Sequence, residues 1–167
     1  MSTVTLRAPE PDDLDRLYRW ENDPQQWHNS LTPPLTSRHA LWQYIAQYTA
    51  DLSVAGSVRM LIVTNDGTAV GTADICDYDP RNATAFVSIY VAGQYRGKRY
   101  GTEALRLIVR LAAEAYGLKG LAALIASGNE PSRHIFANAG FAQCGTLPGW
   151  IKRPESRDLQ IFALTLQ

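Results

Sequence analysis

The order of its segments predicts an α/β (α+β) protein on a mixed central sheet, with elements in the order β-α-α-β-β-β-α-β-α-β-β. Three observations carry this. Short alternating runs bounded by Gly, Pro, Asn and Asp mark strands. Longer segments place apolar residues at helical spacing. A strand, a long helix and a strand follow one another around residues 86 to 126, which requires a crossover and so a locally mixed sheet. At 167 residues the chain is sized for one domain, 1–167, with one core.

Each element has a local cause. "TVTLRAP" alternates like a short strand and stops at Pro9. "PDDLDRLYRWEND" puts Leu14, Leu17 and Tyr18 at helical spacing behind an acidic first turn, and Asp23-Pro24 ends it. "NSLTPPLTS" is a loop from which Thr36 or Ser37 caps a second helix running to about Leu52. Trp42, Tyr44, Ile45 and Tyr48 form its packing stripe. "VRMLIVTNDGTAVGTADICDYD" reads as two strands around an Asn-Asp-Gly turn. The turn "DPRN" leads on to "ATAFVSIYVA", completing a three-strand antiparallel meander. A helix from about Gly101 to Tyr116 follows, with Ala104, Leu105, Ile108, Leu111, Ala112 and Ala115 on its apolar face and Gly117 at its end. "GLAALIA" is a buried strand. A short helix, Ser132 to Asn138, starts at Pro131, and "FAQCGTL" and "DLQIFALTL" close the sheet.

Composition narrows the function. Lys plus Arg balance Asp plus Glu at 16 each and the pI is about 6.8, which argues against a nucleic-acid partner. No apolar run spans a bilayer and the first residues lack a signal-peptide layout, so a cytoplasmic protein without membrane attachment is expected. Cys76 and Cys144 have no paired spacing and read as reduced, buried thiols. His28, His39 and His134 form no ligand pair, so no metal is expected.

One stretch resists a purely structural account. "QYRGKRYG" sets Arg96, Lys98 and Arg99 before the amino end of the long helix, where the helix dipole disfavours cations by a few tenths to about one kcal/mol each. A bound anion resolves the conflict: free backbone N–H groups and the dipole make such a terminus an anion site. A solvated basic turn is the plain alternative. The spacing of Gly97 and Gly101 fits neither the dinucleotide nor the nucleoside-triphosphate phosphate loop.

"IYVAGQYRGKRYGTEAL" resembles the acyl-CoA signature of the GNAT N-acetyltransferases, a strand followed by Arg/Gln-x-x-Gly-x-Gly/Ala at a helix start. Arg96 takes the first position, Arg99 stands where the middle glycine belongs, and Gly101 fills the last. A second block matches as well: Asn129, Ser132, an aromatic at Phe136, then "NAGF". The resemblance covers nearly the whole chain and implies acetyl-CoA as cosubstrate. Its pyrophosphate would lie on the N–H groups of Arg96, Gly97, Lys98, Arg99, Tyr100, Gly101 and Thr102. The pantetheine arm would pair with the backbone of Tyr90 and Val91 and hydrogen-bond Asn129, with Ser132 and Phe136 alongside. The Val91 N–H would hold the thioester carbonyl.

The family's usual proton-handling groups are missing. Many relatives carry Glu where this chain has Phe86, and Tyr where it has Phe136; phenylalanine moves no protons. Asp74 lies within a strand among apolar neighbours. With Glu21, in "Trp20-Glu21-Asn22", it resembles the acidic feature of the spermidine and ribosomal-protein branches. If both face the cleft, they attract a cationic amine and help to deprotonate it. Asp77 and Asp79 beside a turn read as solvated. Trp27, Trp42 and Trp150 either line an acceptor pocket or belong to the core, Arg157-Asp158 reads as a surface pair, and His134 as exposed. The reading is direct acetyl transfer to a primary amine, on a small molecule or a peptide; a catalytically silent CoA-binding domain and transfer of another acyl group are the rivals. Last-strand edges in such folds can pair, so a homodimer is an open expectation.

Overall fold

Seven strands form one mixed sheet in the order β1-β2-β3-β4-β5-β7-β6, in a computed structural model that describes residues 3–27, 35–152 and 155–167. The strands are β1 (Val4–Arg7), β2 (Val58–Thr64), β3 (Ala69–Asp79), β4 (Thr84–Val91), β5 (Gly120–Ala126), β6 (Ala142–Ile151) and β7 (Arg157–Thr165). The helices are α1 (Leu14–Glu21), α2 (Pro24–Trp27), α3 (Arg38–Ala46), α4 (Leu52–Ala55), α5 (Tyr100–Glu114) and α6 (Glu130–Asn138). β1 to β4 run antiparallel. β4 and β5 are the parallel pair that the α5 crossover requires, and β5, β7 and β6 continue antiparallel.

Alternation along the strands splits the interior in two. Met60, Ile62, Ala73, Ile75, Ala85 and Val87 turn to the face covered by α5, where Ala104, Leu105, Ile108 and Ala112 lie buried. Leu61, Val63 and Ala69 turn to the other face and pack under Leu17 of α1 and Leu41 and Ile45 of α3. Arg59, Asp74, Ser88 and Tyr90 share that second face, so their polar groups emerge beside the smaller core.

Several expectations need correction. The second helix stops at Ala46 instead of Leu52; Ser37 caps its start, Oγ accepting from the Ala40 N–H at 3.0 Å. Asp51 then caps the separate turn α4 through the Ser53 N–H at 2.9 Å, a side chain competing with the backbone for continuation. β6 continues past Pro148 to Ile151, which an edge strand tolerates. On that edge Cys144 is exposed; Cys76 is half-buried and also free. Trp42 is 54% exposed and stacks on His39 instead of filling the core, and Trp150 is exposed as well. Arg157 and Asp158 are both half-buried, and Asp158 Oδ1 accepts from the Gly149 N–H at 2.7 Å. The loop segment 28–34, with His28, and the side chain of Trp27 lie outside the described residues. No described helix is long and apolar enough to cross a membrane.

Candidate functional site

β4 and β5 part company. Their register pairs only Thr84, Ala85 and Phe86 with Gly120, Leu121 and Ala122, although β4 runs on to Val91 and β5 to Ala126. Beyond residue 86 the two strands leave a wedge with unpaired edges. The ladder with β3 decides which β4 groups face it. Tyr90 opposes Thr72, and the Ala92 N–H donates to the Val70 carbonyl at 2.9 Å, so even-numbered residues of β4 direct their amides to β3. A methyl added at Gly71 would lie 2.0 Å from the Tyr90 carbonyl oxygen, which shows that oxygen turned the same way. The expected pairing of an arm with Tyr90's backbone is therefore corrected: Ile89 and Val91 present their N–H and C=O to the wedge. The Val91 carbonyl already accepts from Arg96 Nε at 3.0 Å.

The basic loop closes the end of this wedge. Arg96 spends its own N–H on the Gly93 carbonyl at 3.3 Å, so the open run starts one residue later than expected. The backbone N–H groups of residues 97–102 meet no acceptor among the described residues, and the first helical amide with one is Glu103, bonded to the Arg99 carbonyl at 3.1 Å. Gly97 has φ 78° and Arg99 has φ 65°. The second value explains why the GNAT pattern wants glycine there: a residue with a Cβ is held left-handed at a cost of roughly 1–2 kcal/mol. Arg99 does not crowd the loop, since its side chain is exposed, as are Arg96 and Lys98. Tyr100 packs on the main core, and Gly101 is buried, where an added methyl would come within 3.2 Å of Ile135 Cδ1.

The facing wall is α6. Asn129 caps it, Oδ1 accepting from the Ser132 N–H at 3.4 Å, which leaves Nδ2 as a donor without a partner among the described residues. Phe136 is 5% exposed and packs edge-to-face on Phe141 with centroids 5.0 Å apart. Its place is in the core, where it seats α6.

On the α1/α3 face a pocket of about 520 Å³ is lined by Glu21, Tyr44, Arg59, Asp74, Cys76 and apolar side chains including Leu35 and Leu41. Glu21 and Asp74 do come together, through a residue that the sequence left unmarked. Arg59 Nε and Nη2 grip Asp74 at 3.0 and 2.8 Å, and Nη1 binds Glu21. Asp74 and Glu21 together hold the Arg59 guanidinium above its ordinary range despite burial that opposes its charge. The Arg59 N–H donates to the Tyr44 hydroxyl at 3.1 Å. Burial raises the Tyr44 phenol, and burial followed by Asp77 and Asp74 pushes the Cys76 thiol up to about 11, so both stay uncharged at neutral pH. Next along β4, burial and then Asp23 push Tyr90 up to about 12, and its ring meets Trp20 edge-on at 5.7 Å.

A wedge between splayed parallel strands, open amides at a helix start and an acidic pocket on one face together match a known design. The model of the acetyltransferase (GNAT) domain matches residues 3–142. The chain belongs to this family. Among solved structures, the spermidine N-acetyltransferase of Vibrio cholerae in complex with CoA and spermine superposes with a TM-score of 0.89 at 17% identity, covering 99% of this chain and 96% of that one. A dodecameric form of the same enzyme gives 0.83 at 18% identity over 99% and 95%. In sequence, "Putative phosphinothricin acetyltransferase YwnH" of Bacillus subtilis (strain 168) is 38% identical over 86 residues, which span 51% of this chain and about half, 52%, of that relative. The SPbeta prophage-derived uncharacterized N-acetyltransferase YokL of the same organism is 23% identical over 144 residues, 86% of this chain and 78% of YokL.

Proposed function

We propose that this GNAT protein moves an acetyl group from acetyl-CoA to a primary amine, directly, with both bound at once. The observation that carries the reading is the open run of N–H groups at residues 97–102 beside the unpaired edges of β4 and β5. The residues fit the cosubstrate. Amides 97–102 and the α5 dipole suit a pyrophosphate, and Lys98 and Arg99 add charge at the surface. An arm leaving that loop along the wedge meets Val91 first and Ile89 second, and Asn129 Nδ2 offers a further donor. Because the reactive end lies farthest from the phosphates, the Ile89 N–H is better placed than Val91 to hold the acyl oxygen. Bound acetyl-CoA supplies an activated acyl group.

The chain's own part is placement and proton control. Ile89 neighbours Ser88, whose cross-strand partner is Asp74, so the wedge and the pocket meet at this rung of the sheet. Glu21 and Asp74 draw an ammonium into the pocket, and the carboxylate not saturated by Arg59 takes up its proton, directly or through water. Holding a neutral amine against a thioester supplies roughly 7 kcal/mol or more. The spermidine N-acetyltransferases among the structural neighbours support an amine-bearing acceptor.

Incubation with acetyl-CoA and a panel of primary amines, read by product mass, tests the reading: the expected product is heavier by one acetyl group. Phe at positions 86 and 136 also supports a second reading, a silent CoA-binding domain. That one predicts binding of acetyl-CoA and no acetylated product with any amine.

A further inference from the structure

The pocket's hydrogen-bonding groups and charges decide which amines suit it. Among its described lining residues the charged side chains are Glu21, Asp74 and Arg59, so one negative charge is left unbalanced. The three are tied into one unit with side chains 16–25% exposed. Glu21 spends Oε1 on Arg59, and Oε2 accepts nothing among the described residues. Around them the wall is mostly apolar, with Leu35, Ala40 and Leu41; Thr36 and Ser57 add neutral hydroxyls, and the Tyr44 and Cys76 groups carry no charge.

Building on the transferase reading, we infer that the acceptor is an amine with a single positive charge on an apolar body, and that Arg59 is the residue that sets this specificity. One ammonium neutralises the unit and fills the open acceptor on Glu21. A second ammonium on the same molecule meets Arg59 or the apolar wall, where an unpaired charge is costly. Removing Arg59 would leave two uncompensated carboxylates and invite a dication.

Charge alone can be varied while length is held constant, by comparing hexylamine with hexamethylenediamine. Wild type is expected to favour hexylamine by about tenfold in kcat/KM. Arg59→Gln, with two unbalanced negative charges, is expected to reverse the preference. Arg59→Gln combined with Asp74→Asn, with one again, is expected to return it towards the wild-type ratio. Return in the double variant separates charge from shape, because both side chains are then altered. A wild-type preference for the diamine, an unchanged ratio in Arg59→Gln, or a double variant that stays reversed overturns the inference. Should Arg59→Gln fail to fold, the wild-type ratio still decides, together with Asp74→Asn, which is expected to lose most of its activity towards hexylamine. Melting with acetyl-CoA accompanies each variant. Acetyl-CoA stabilisation and turnover without preference for the monoamine overturn this inference alone, whereas no stabilisation and no product overturn the transferase reading beneath it.

Discussion

Two charge clusters in this fold are built as opposites. Around Asp13 one carboxylate is shared by two guanidiniums; around Arg59 one guanidinium is shared by two carboxylates. Asp13 is saturated. Oδ1 accepts from Arg7 Nη2 and Arg16 Nη1 at 2.9 and 2.7 Å, and Oδ2 from Arg7 Nη1 and the Glu10 N–H at 2.6 and 2.9 Å, which uses the four sites that a carboxylate has. Its side chain is 2% exposed, and the surplus positive charge sits on arginines 35–38% exposed to water. The Arg59 cluster keeps an unused acceptor on Glu21 and opens on a pocket. The completed cluster ties β1 to the start of α1, whereas the incomplete one borders the pocket with an acceptor to spare.

The largest expected effect breaks the first cluster. Asp13→Asn leaves two arginines facing a poorer acceptor and is expected to cost about 3 kcal/mol, lowering the melting temperature by roughly 6–12 °C. The amine KM should hold in the folded fraction. Asp74→Asn is expected to do the reverse, losing about 1 kcal/mol of stability while raising the amine KM about tenfold. Melts and steady-state kinetics on the two variants check the pair, and equal stability losses would erase the distinction between the clusters.

Acid sharpens the comparison. Burial pushes the Asp13 carboxyl up, but the Arg7 and Glu10 hydrogen bonds and the charges of Arg7 and Arg16 outweigh it and hold the group below its ordinary range. A depressed carboxyl contributes stability that is present above its unfolded value of about 3.9 and lost as pH falls through the folded value. The gap in melting temperature between wild type and Asp13→Asn should therefore be full at neutral pH and shrink below about pH 4. A gap that does not depend on pH would mean that packing, not charge, carries the Asp13 contribution.

The smallest effect concerns the loop. Arg99→Gly relieves a left-handed residue and gives some of that back as chain entropy, for a net gain of about 0.5–1 kcal/mol in the ligand-free protein. Acetyl-CoA affinity should fall by about threefold as one surface cation leaves. Melts and titrations of the variant measure both.

What could be read from the sequence follows from how local its cause is. The meander, a cap at Thr36 or Ser37 and the long amphipathic helix were legible because turn residues and periodicity act within a few positions. The basic loop was legible because three cations at a helix start are unfavourable. Arg59 was not: in "VRMLIVT" it reads as an ordinary strand residue, and its partners are 15 and 38 positions away. The wedge was equally hidden, since "TAFVSIYV" and "GLAALIA" look like strands paired along their whole length, and only their register shows three pairs. The exchange of Tyr90 for Ile89 comes from the β3–β4 register, which no local pattern shows. Cys144 looked like a core thiol because sequence does not say which strand forms the edge.

The central claim is that residues 97–102 and the β4/β5 wedge hold a coenzyme A species. Thermal melting with acetyl-CoA, free CoA, ATP and NAD in parallel tests it most directly. A ligand at a hundred times its dissociation constant adds about 2.7 kcal/mol, several degrees for a chain of this size. The account predicts that shift with both CoA species and none of that size with ATP or NAD. No shift with either CoA species, or an equal one with ATP, would contradict it.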